Sequence, residues 1–477
     1  MGFGVVFLAK AIRQISIFSQ LLSILFQHFR LIAFFCQSVY DSLNQNKEAT
    51  IMAKSTSKAY RNQVLYSVFV RNYSAEGTFE GVRNDLDRIK DLGVDIIWLM
   101  PIHPLGEKAR KGTLGSPYAI KDYRAVNPEF GTLEDFKRLV DDIHAHGMKC
   151  IIDVVYNHTS PDSWMSRNHP EWFYHKPDGS FGNRVGDWTD IIDLDYSQPG
   201  LWEYQIDTLK MWAEIVDGFR CDVAPLVPLE FWLKAREEVE KVRPGCFWLA
   251  ESIEPDFIVF NRSRGMTALS DSECYQAFDA CYDYDIYEIY RDAVAHKIPL
   301  EEYAKAVTRQ EGMYPDNYLK LRCLENHDRA RAAQMIADDR MLRNWTAFNY
   351  FQKGLTMLYA GQEVQAVRTP SLFDLDTINW NTGKDLTPLL KKLAQIKRDP
   401  LFADSRYTVK ALPQDILYAV HESAGKKIIG IFSVQGNASL IPADIADGTY
   451  ENLITGEPVE VHAGFAATAG EPIIIKD

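Results

Sequence analysis

From Val64 onward, short runs of aliphatic, β-branched and aromatic residues alternate with longer stretches in which apolar side chains recur every three to four positions. The short runs read as strands buried on both faces, and the longer period reads as helices with one apolar side. Eight runs have strand character: Leu65 to Val70, Ile96 to Met100, Cys150 to Val155, Gly218 to Cys221, Cys246 to Ala250, Ala277 to Cys281, Leu319 to Leu324 and Leu355 to Tyr359. Helical patterns at Phe79 to Leu92, Leu133 to His146, Trp202 to Ile215 and Phe231 to Val242 lie between them. Strands that alternate with helices in this way build βα units, and eight such units close into a (β/α)8 TIM barrel.

Two stretches break the pattern. The connection from His158 to about Gly200, after the third strand, is far longer than an ordinary βα loop and carries Trp164, Trp172, Phe173, Tyr174 and Trp188. Long connections in compact domains are usually functional, so residues 158–200 are expected to form a short inserted subdomain. After Pro400 the helical period stops and short apolar runs such as Ile428 to Val434 and Pro472 to Ile475 alternate with Gly, Asn and Asp, the signature of an antiparallel β-sandwich over 401–477. The barrel then occupies 52–157 and 201–400.

Residues 1–51 have a different composition. No acidic residue precedes Asp41, and the cations before it are Lys10, Arg13 and Arg30. Ile15, Phe18, Leu22, Leu25 and Phe29 recur at helical spacing, which allows an amphipathic helix or a membrane anchor. Ser, Gln and His interrupt the apolar run, which weakens both a secretory leader and a spanning helix. The reading preferred is that Met52 is the natural start. That start implies a cytoplasmic protein, with membrane association only if the extension is native.

A formal net charge of -13 disfavours nucleic acid and anionic membranes as main partners and suits a neutral substrate. The seven cysteines are odd in number, scattered, and free of metal-type spacing, which favours packed thiols in a reducing compartment.

Four of the runs end in acidic or polar clusters: IIDVVYNH (Ile151 to His158), GFRCD (Gly218 to Asp222), FWLAE (Phe247 to Glu251) and LRCLENHD (Leu321 to Asp328). Arg220 and Asp222, two apart on one strand, face the same side, and an arginine so close favours an ionised carboxylate. Glu251 follows Phe247, Trp248, Leu249 and Ala250, whose desolvation favours its protonated form. Singly, each is more readily a structural ion pair or a capping residue. Together they place Asp, Glu and Asp at the C-terminal ends of three barrel strands, the face where barrel active sites form.

The four motifs resemble the signature regions of the α-amylase family of glycoside hydrolases (family 13), over most of the chain from about Val64. The resemblance implies a retaining glycosidase acting on α-1,4-glucosidic bonds of starch-type glucans or maltodextrins through a covalent intermediate. Asp222 would be nucleophile, Glu251 general acid/base, and Asp328 the third carboxylate, which helps distort the sugar ring. In SPYAIKDYRAVNPEFG, Tyr118 would stack on that sugar, beside His158, Arg220 and His327 as substrate contacts. IIDLDY (Ile191 to Tyr196) resembles a fifth family region. Many α-amylases hold calcium through residues matching Asn157 and Asp193 and through a carbonyl at the position of Leu226; Leu226 departs from the usual His there. Calcium through Asn157 and Asp193 therefore stands against a purely structural role for Asn157. No organic cofactor is implied. Alternatives within the family are transglycosylase and α-glucosidase action. Outside it, the alternative is a noncatalytic barrel used as a binding or assembly partner, which would be marked by loss of the carboxylates.

Overall fold

The computed structural model describes residues 56–186 and 188–477. The readings of residues 1–51, and of a start at Met52, lie outside the described residues.

Eight strands, β1 (Val64–Val68), β2 (Ile96–Leu99), β3 (Lys149–Val154), β4 (Gly218–Cys221), β5 (Phe247–Ala250), β6 (Ala280–Tyr282), β7 (Lys320–Arg322) and β8 (Leu355–Tyr359), form a closed barrel. Each pairs in parallel with its sequence neighbours, and β8 closes on β1. Their side chains are almost all buried because one face fills the barrel and the other meets the helices.

The helix Leu133–Ala145 shows how local sequence sets the connections. Thr132 caps its start in a reciprocal capping box with Asp135, and Phe136, Leu139, Val140 and Ile143 form the buried stripe. Gly147, with φ of 67°, then turns the chain into β3, a left-handed conformation that suits glycine.

Several expected elements end elsewhere. The first strand stops at Val68, because Phe69 leads directly into the helix Val70–Tyr73. The single helix expected from Phe79 to Leu92 is two, Phe79–Arg83 and Leu86–Asp91, parted at Asn84 and Asp85; the Asp85 carboxylate accepts from Arg88 Nε at 2.9–3.0 Å. The sixth strand is Ala280–Tyr282, since the amides of Ala277 and Phe278 bond back to the Cys274 carbonyl and keep Ala277 in a turn. The seventh is trimmed to Lys320–Arg322.

After β3, the mini-strands His158–Thr159 and Ile192–Asp193 pair antiparallel, with His158 opposite Asp193, and fasten the two ends of the insert at the barrel mouth. The C-terminal region is two four-stranded antiparallel sheets. The first contains β9 (Arg406–Leu412), β10 (Ile416–Ser423) and β11 (Lys426–Ser433). Alternation along β10 assigns its two faces: Ile416, Tyr418 and Val420 enter the core between the sheets, while Leu417 and Ala419 join the barrel's core.

The thiols of Cys150, Cys221, Cys246, Cys274, Cys281 and Cys323 are free. Cys323 is half-buried and the other five are buried. Among the described residues, no helix is long and apolar enough to cross a membrane.

Candidate active site

The C-terminal ends of β3, β4, β5 and β6 converge on Arg220. Strand register sets Asp153 of β3 beside Arg220 of β4, both pointing into a barrel interior that excludes water. Arg220 Nη1 lies 2.8 Å from Asp153 Oδ1 and 2.9 Å from Asp222 Oδ1, and Nε is 3.2 Å from the Tyr282 hydroxyl. Nη2 approaches Glu251 Oε1 at 2.7 Å as an ion pair without hydrogen-bond alignment. Trp98, Tyr118 and Tyr282 surround the guanidinium at 5.0–5.6 Å from their ring centres. One fully buried cation thus holds three carboxylates from three adjacent strands.

Val223, just after Asp222, sits at φ 34° and ψ 44°, a left-handed conformation unfavourable for a β-branched residue. Its amide donates to Glu251 Oε2 at 2.7 Å, so the strained turn links the two carboxylate-bearing strand ends.

Burial dominates the acidities and pushes all three carboxylates up. Glu251 reaches about 8: Arg220 pulls it down, but Asp222 and Asp328 add to the rise. Asp222 reaches about 6, as does Asp153, with Arg220 again opposing the rise. Arginine proximity alone implied a low value for Asp222. Desolvation and the Asp153 charge reverse that sign, yet Asp222 remains the more acidic of the Asp222 and Glu251 pair. At neutral pH the two therefore favour opposite protonation states.

Asp328 follows β7 on a loop braced by Glu325, whose carboxylate accepts from Arg331 Nη1 and the Ala332 amide, both at 2.6 Å. Burial raises the Asp328 pKa, but His327 outweighs it, and the carboxyl sits at about 2. His327 Nε2 is 3.0 Å from Asp328 Oδ2 and 2.7 Å from the Tyr118 hydroxyl. Burial opposes charge on that ring, and Asp328 overcomes it and raises the pKa. Tyr118 stacks on His327 at 5.5 Å and donates to Asp153 Oδ2 at 3.2 Å. His158 is pushed down to about 4 by burial, so its ring is neutral beside Asp222, 3.9 Å away.

All the side chains expected in substrate and catalytic roles therefore come together: Tyr118, His158, Arg220, Asp222, Glu251, His327 and Asp328. Tyr118, His158, Asp222, Glu251 and Asp328 line a cavity of about 390 Å³, with Trp188 of the insert on its wall. Lys111–Asp190, at 2.9 Å, and Arg329–Glu254 fasten its rim. Asp153, Val223 and Tyr282 were not singled out from the sequence. Asp153 carried a signal, a lone acid inside an apolar strand. Val223 carried none, because a left-handed valine runs against its propensity. Tyr123 turns from the cleft and donates to the carbonyls of Val155 and His158, both at 2.8 Å.

Asn157 and Asp193 lie together on a neighbouring cavity of about 360 Å³, which Leu226 and Arg184 also line. Asp193 Oδ2 accepts from the Arg184 amide at 2.7 Å, and its buried Oδ1 accepts no hydrogen bond. Calcium takes six to eight oxygens, commonly from several carboxylates. Here the candidate pair offers one carboxylate and one amide, with a guanidinium 3.7 Å from that carboxylate. Among the described residues, no group of three or more His, Cys, Asp or Glu could hold a metal ion. The side chains of Asn157 and Asp193 alone do not complete a calcium shell, and the guanidinium beside them competes for the one carboxylate they supply.

A parallel eight-stranded barrel with a buried arginine, three carboxylates of unequal acidity and a flanking aromatic wall at its C-terminal mouth is a carbohydrate-active barrel enzyme in build. The α-amylase catalytic-domain family matches residues 34–188 and 161–406, and the bacterial α-amylase C-terminal domain family matches 408–475. The chain belongs to the α-amylase family. An α-amylase structure from Lactobacillus plantarum is 49% identical, with a TM-score of 0.87, over 88% of this chain and all of that one. A maltogenic α-amylase of Thermotoga neapolitana is 32% identical, with a TM-score of 0.78, over 87% of this chain and 99% of that one. An α-1,4-glucan:maltose-1-phosphate maltosyltransferase of Myxococcus xanthus is 31% identical over 274 residues, 52% of this chain. The match spans only 38% of that transferase's length.

Proposed function

We propose that this chain is a retaining hydrolase of α-1,4-linked glucans of the maltodextrin or starch type. The observation that carries the reading is a single buried arginine gripping two cavity-facing carboxylates held near 6 and near 8. In the first step the ionised Asp222 attacks the anomeric carbon while the glycosidic C–O bond breaks, and the departing oxygen takes the proton of Glu251. In the second, Glu251 removes a proton from water as that water attacks the anomeric carbon and frees Asp222. Asp328, held ionised by His327, accepts sugar hydroxyl hydrogen bonds and favours the flattened, positively charged ring of the transition state. Tyr118 stacks on the same sugar, and His158 and His327 supply hydrogen-bond donors around it. Free thiols across the barrel support a reducing, cytoplasmic setting.

A second reading, transfer to another sugar hydroxyl in place of water, is favoured by the similarity to a maltosyltransferase. The chemistry to the intermediate is the same. A product time course from maltoheptaose, with Glu251→Gln as control, separates the readings. Short α-anomeric products that vanish in the variant are expected. Products longer than the substrate would replace hydrolysis by transfer, and no turnover of maltoheptaose or of maltose-1-phosphate with glucan acceptor would overturn both.

A further inference from the structure

We propose that the guanidinium of Arg184 is the built-in cation at the junction of insert and barrel, doing there the work expected of a calcium ion. The junction needs positive charge. Asp193 is 3% exposed by side chain and belongs to the two-residue strand that pairs with His158, which holds its carboxylate at the junction. A buried carboxylate without a counter-charge is costly, and Asp193 Oδ1 accepts no hydrogen bond at all.

Arg184 approaches this carboxylate twice. Its amide donates to Oδ2 at 2.7 Å, and its Nη1 stands 3.7 Å from the same oxygen. Nη1 also donates to the Leu194 carbonyl at 3.3 Å, and the Leu194 amide in turn donates to the Asn157 carbonyl at 3.1 Å. The guanidinium packs over the Tyr174 ring at 4.5 Å, which fixes its direction. Arg184 therefore connects the end of the insert, through one backbone step, to the residue that leaves β3. That is the mechanical task of a bridging ion: neutralise the carboxylate and tie two segments together.

A divalent ion at the same carboxylate would stand against the guanidinium, whose Nη1 is 3.7 Å from Asp193 Oδ2. The pairing also bears on the candidate active site, because the strand it steadies holds His158 3.9 Å from Asp222.

The test uses the full chain and reads melting temperature, so its outcome is independent of whether the glucan reading holds. For wild-type protein, neither exhaustive EGTA nor added calcium chloride should move the transition. Arg184→Ala should lower it by about 2 °C, the scale of a partly buried pair in a protein this large, with Arg184→Lys recovering part of the loss. In an Asp193→Asn background the cost of Arg184→Ala should largely vanish, since the charge it answers is gone. The proposal is overturned by a wild-type transition that falls in EGTA or rises saturably with calcium. Equal costs of Arg184→Ala in both backgrounds would overturn it too, by making the arginine a packing residue. Should Arg184→Ala fail to fold, Arg184→Lys in the same two backgrounds and the wild-type calcium titration still decide.

Discussion

Two regions of the barrel bury a cation among carboxylates, and they differ in what closes the remaining valences. At the mouth, Arg220 meets Asp153, Asp222 and Glu251. On the outer side of β7, Lys320 meets Asp271 and Asp285, and Arg322 meets Asp283, all under the helices. In the second cluster neutral donors finish the work: Gln310 Nε2 reaches Asp283 and Asp285, the Tyr314 hydroxyl reaches Asp285 at 2.8 Å, and Ser252 reaches Asp271 at 2.6 Å. Asp285 is accordingly held below the usual carboxylate range: burial pushes it up, and Lys320 with these donors outweighs burial, whereas at Asp271 and Asp283 burial still wins and raises the pKa. In the first cluster Asp222 and Glu251 line a cavity, Asp222 Oδ2 takes no hydrogen bond from the described residues, and the two pKa values rise to about 6 and about 8. Buried ion pairs are common structural devices. Carboxylates that line an open cavity are what set the mouth apart.

The largest expected effect breaks the comparison directly. Asp222→Asn should cut turnover of maltoheptaose by roughly 10⁴-fold or more, the scale of losing a nucleophile, while the fold survives because Arg220 keeps Asp153 and Glu251. Lys320→Met should do the reverse. It leaves Asp271 and Asp285 buried without their cation, at a cost of about 3 kcal/mol, and lowers the melting temperature while changing turnover per folded molecule less than about tenfold. Calorimetry and steady-state kinetics on both variants decide; an active Asp222→Asn protein would end the assignment of the nucleophile.

Acidity sharpens the same contrast. The ascending limb of kcat/KM should fall near pH 6, where Asp222 ionises, and the descending limb near pH 8, where Glu251 loses its proton. Stability carries a matching sign. Both folded values lie above the ordinary carboxylate range, so between about pH 4 and 8 the native state holds protons that the unfolded chain has released, and this contribution falls as pH rises. Glu251→Gln removes its share. The melting temperature of that variant relative to wild type should therefore climb from pH 5 to pH 8; a flat difference would mean that Glu251 is not held protonated.

Much of this was legible from the chain because barrel strands buried on both faces leave continuous apolar runs, and polar residues that interrupt or end such runs stand out. Asp222, Glu251 and Asp328 are visible for that reason, as is the outward and inward alternation that joins Arg220 to Asp222. The sixth strand was misplaced because Ala277 and Phe278 are as apolar as a strand, and only the hydrogen bonds back to Cys274 make them a turn. The direction of the Asp222 shift was hidden too, since it depends first on how deeply the carboxyl is buried and then on Asp153, a residue some seventy positions earlier that only strand register brings beside Arg220. Arg184 gave no signal in sequence, because its role depends on how the insert folds back on β3.

The smallest effect tests the strained link between the two strand ends. Val223→Gly relieves a left-handed β-branched residue, worth roughly 1–2 kcal/mol. It also gives the unfolded chain the freedom of glycine, which costs about 0.5–1 kcal/mol. The balance is a net change in stability of less than about 1.5 kcal/mol, leaning to stabilisation. The amide that donates to Glu251 Oε2 is retained, so the alkaline limb of the pH profile should stay where it is in wild type. If the limb moves toward the ordinary glutamate range while stability is unchanged, then the Val223 side chain, and not only its backbone geometry, keeps water from Glu251, and the mouth owes the raised pKa of Glu251 to a residue outside the Arg220 cluster.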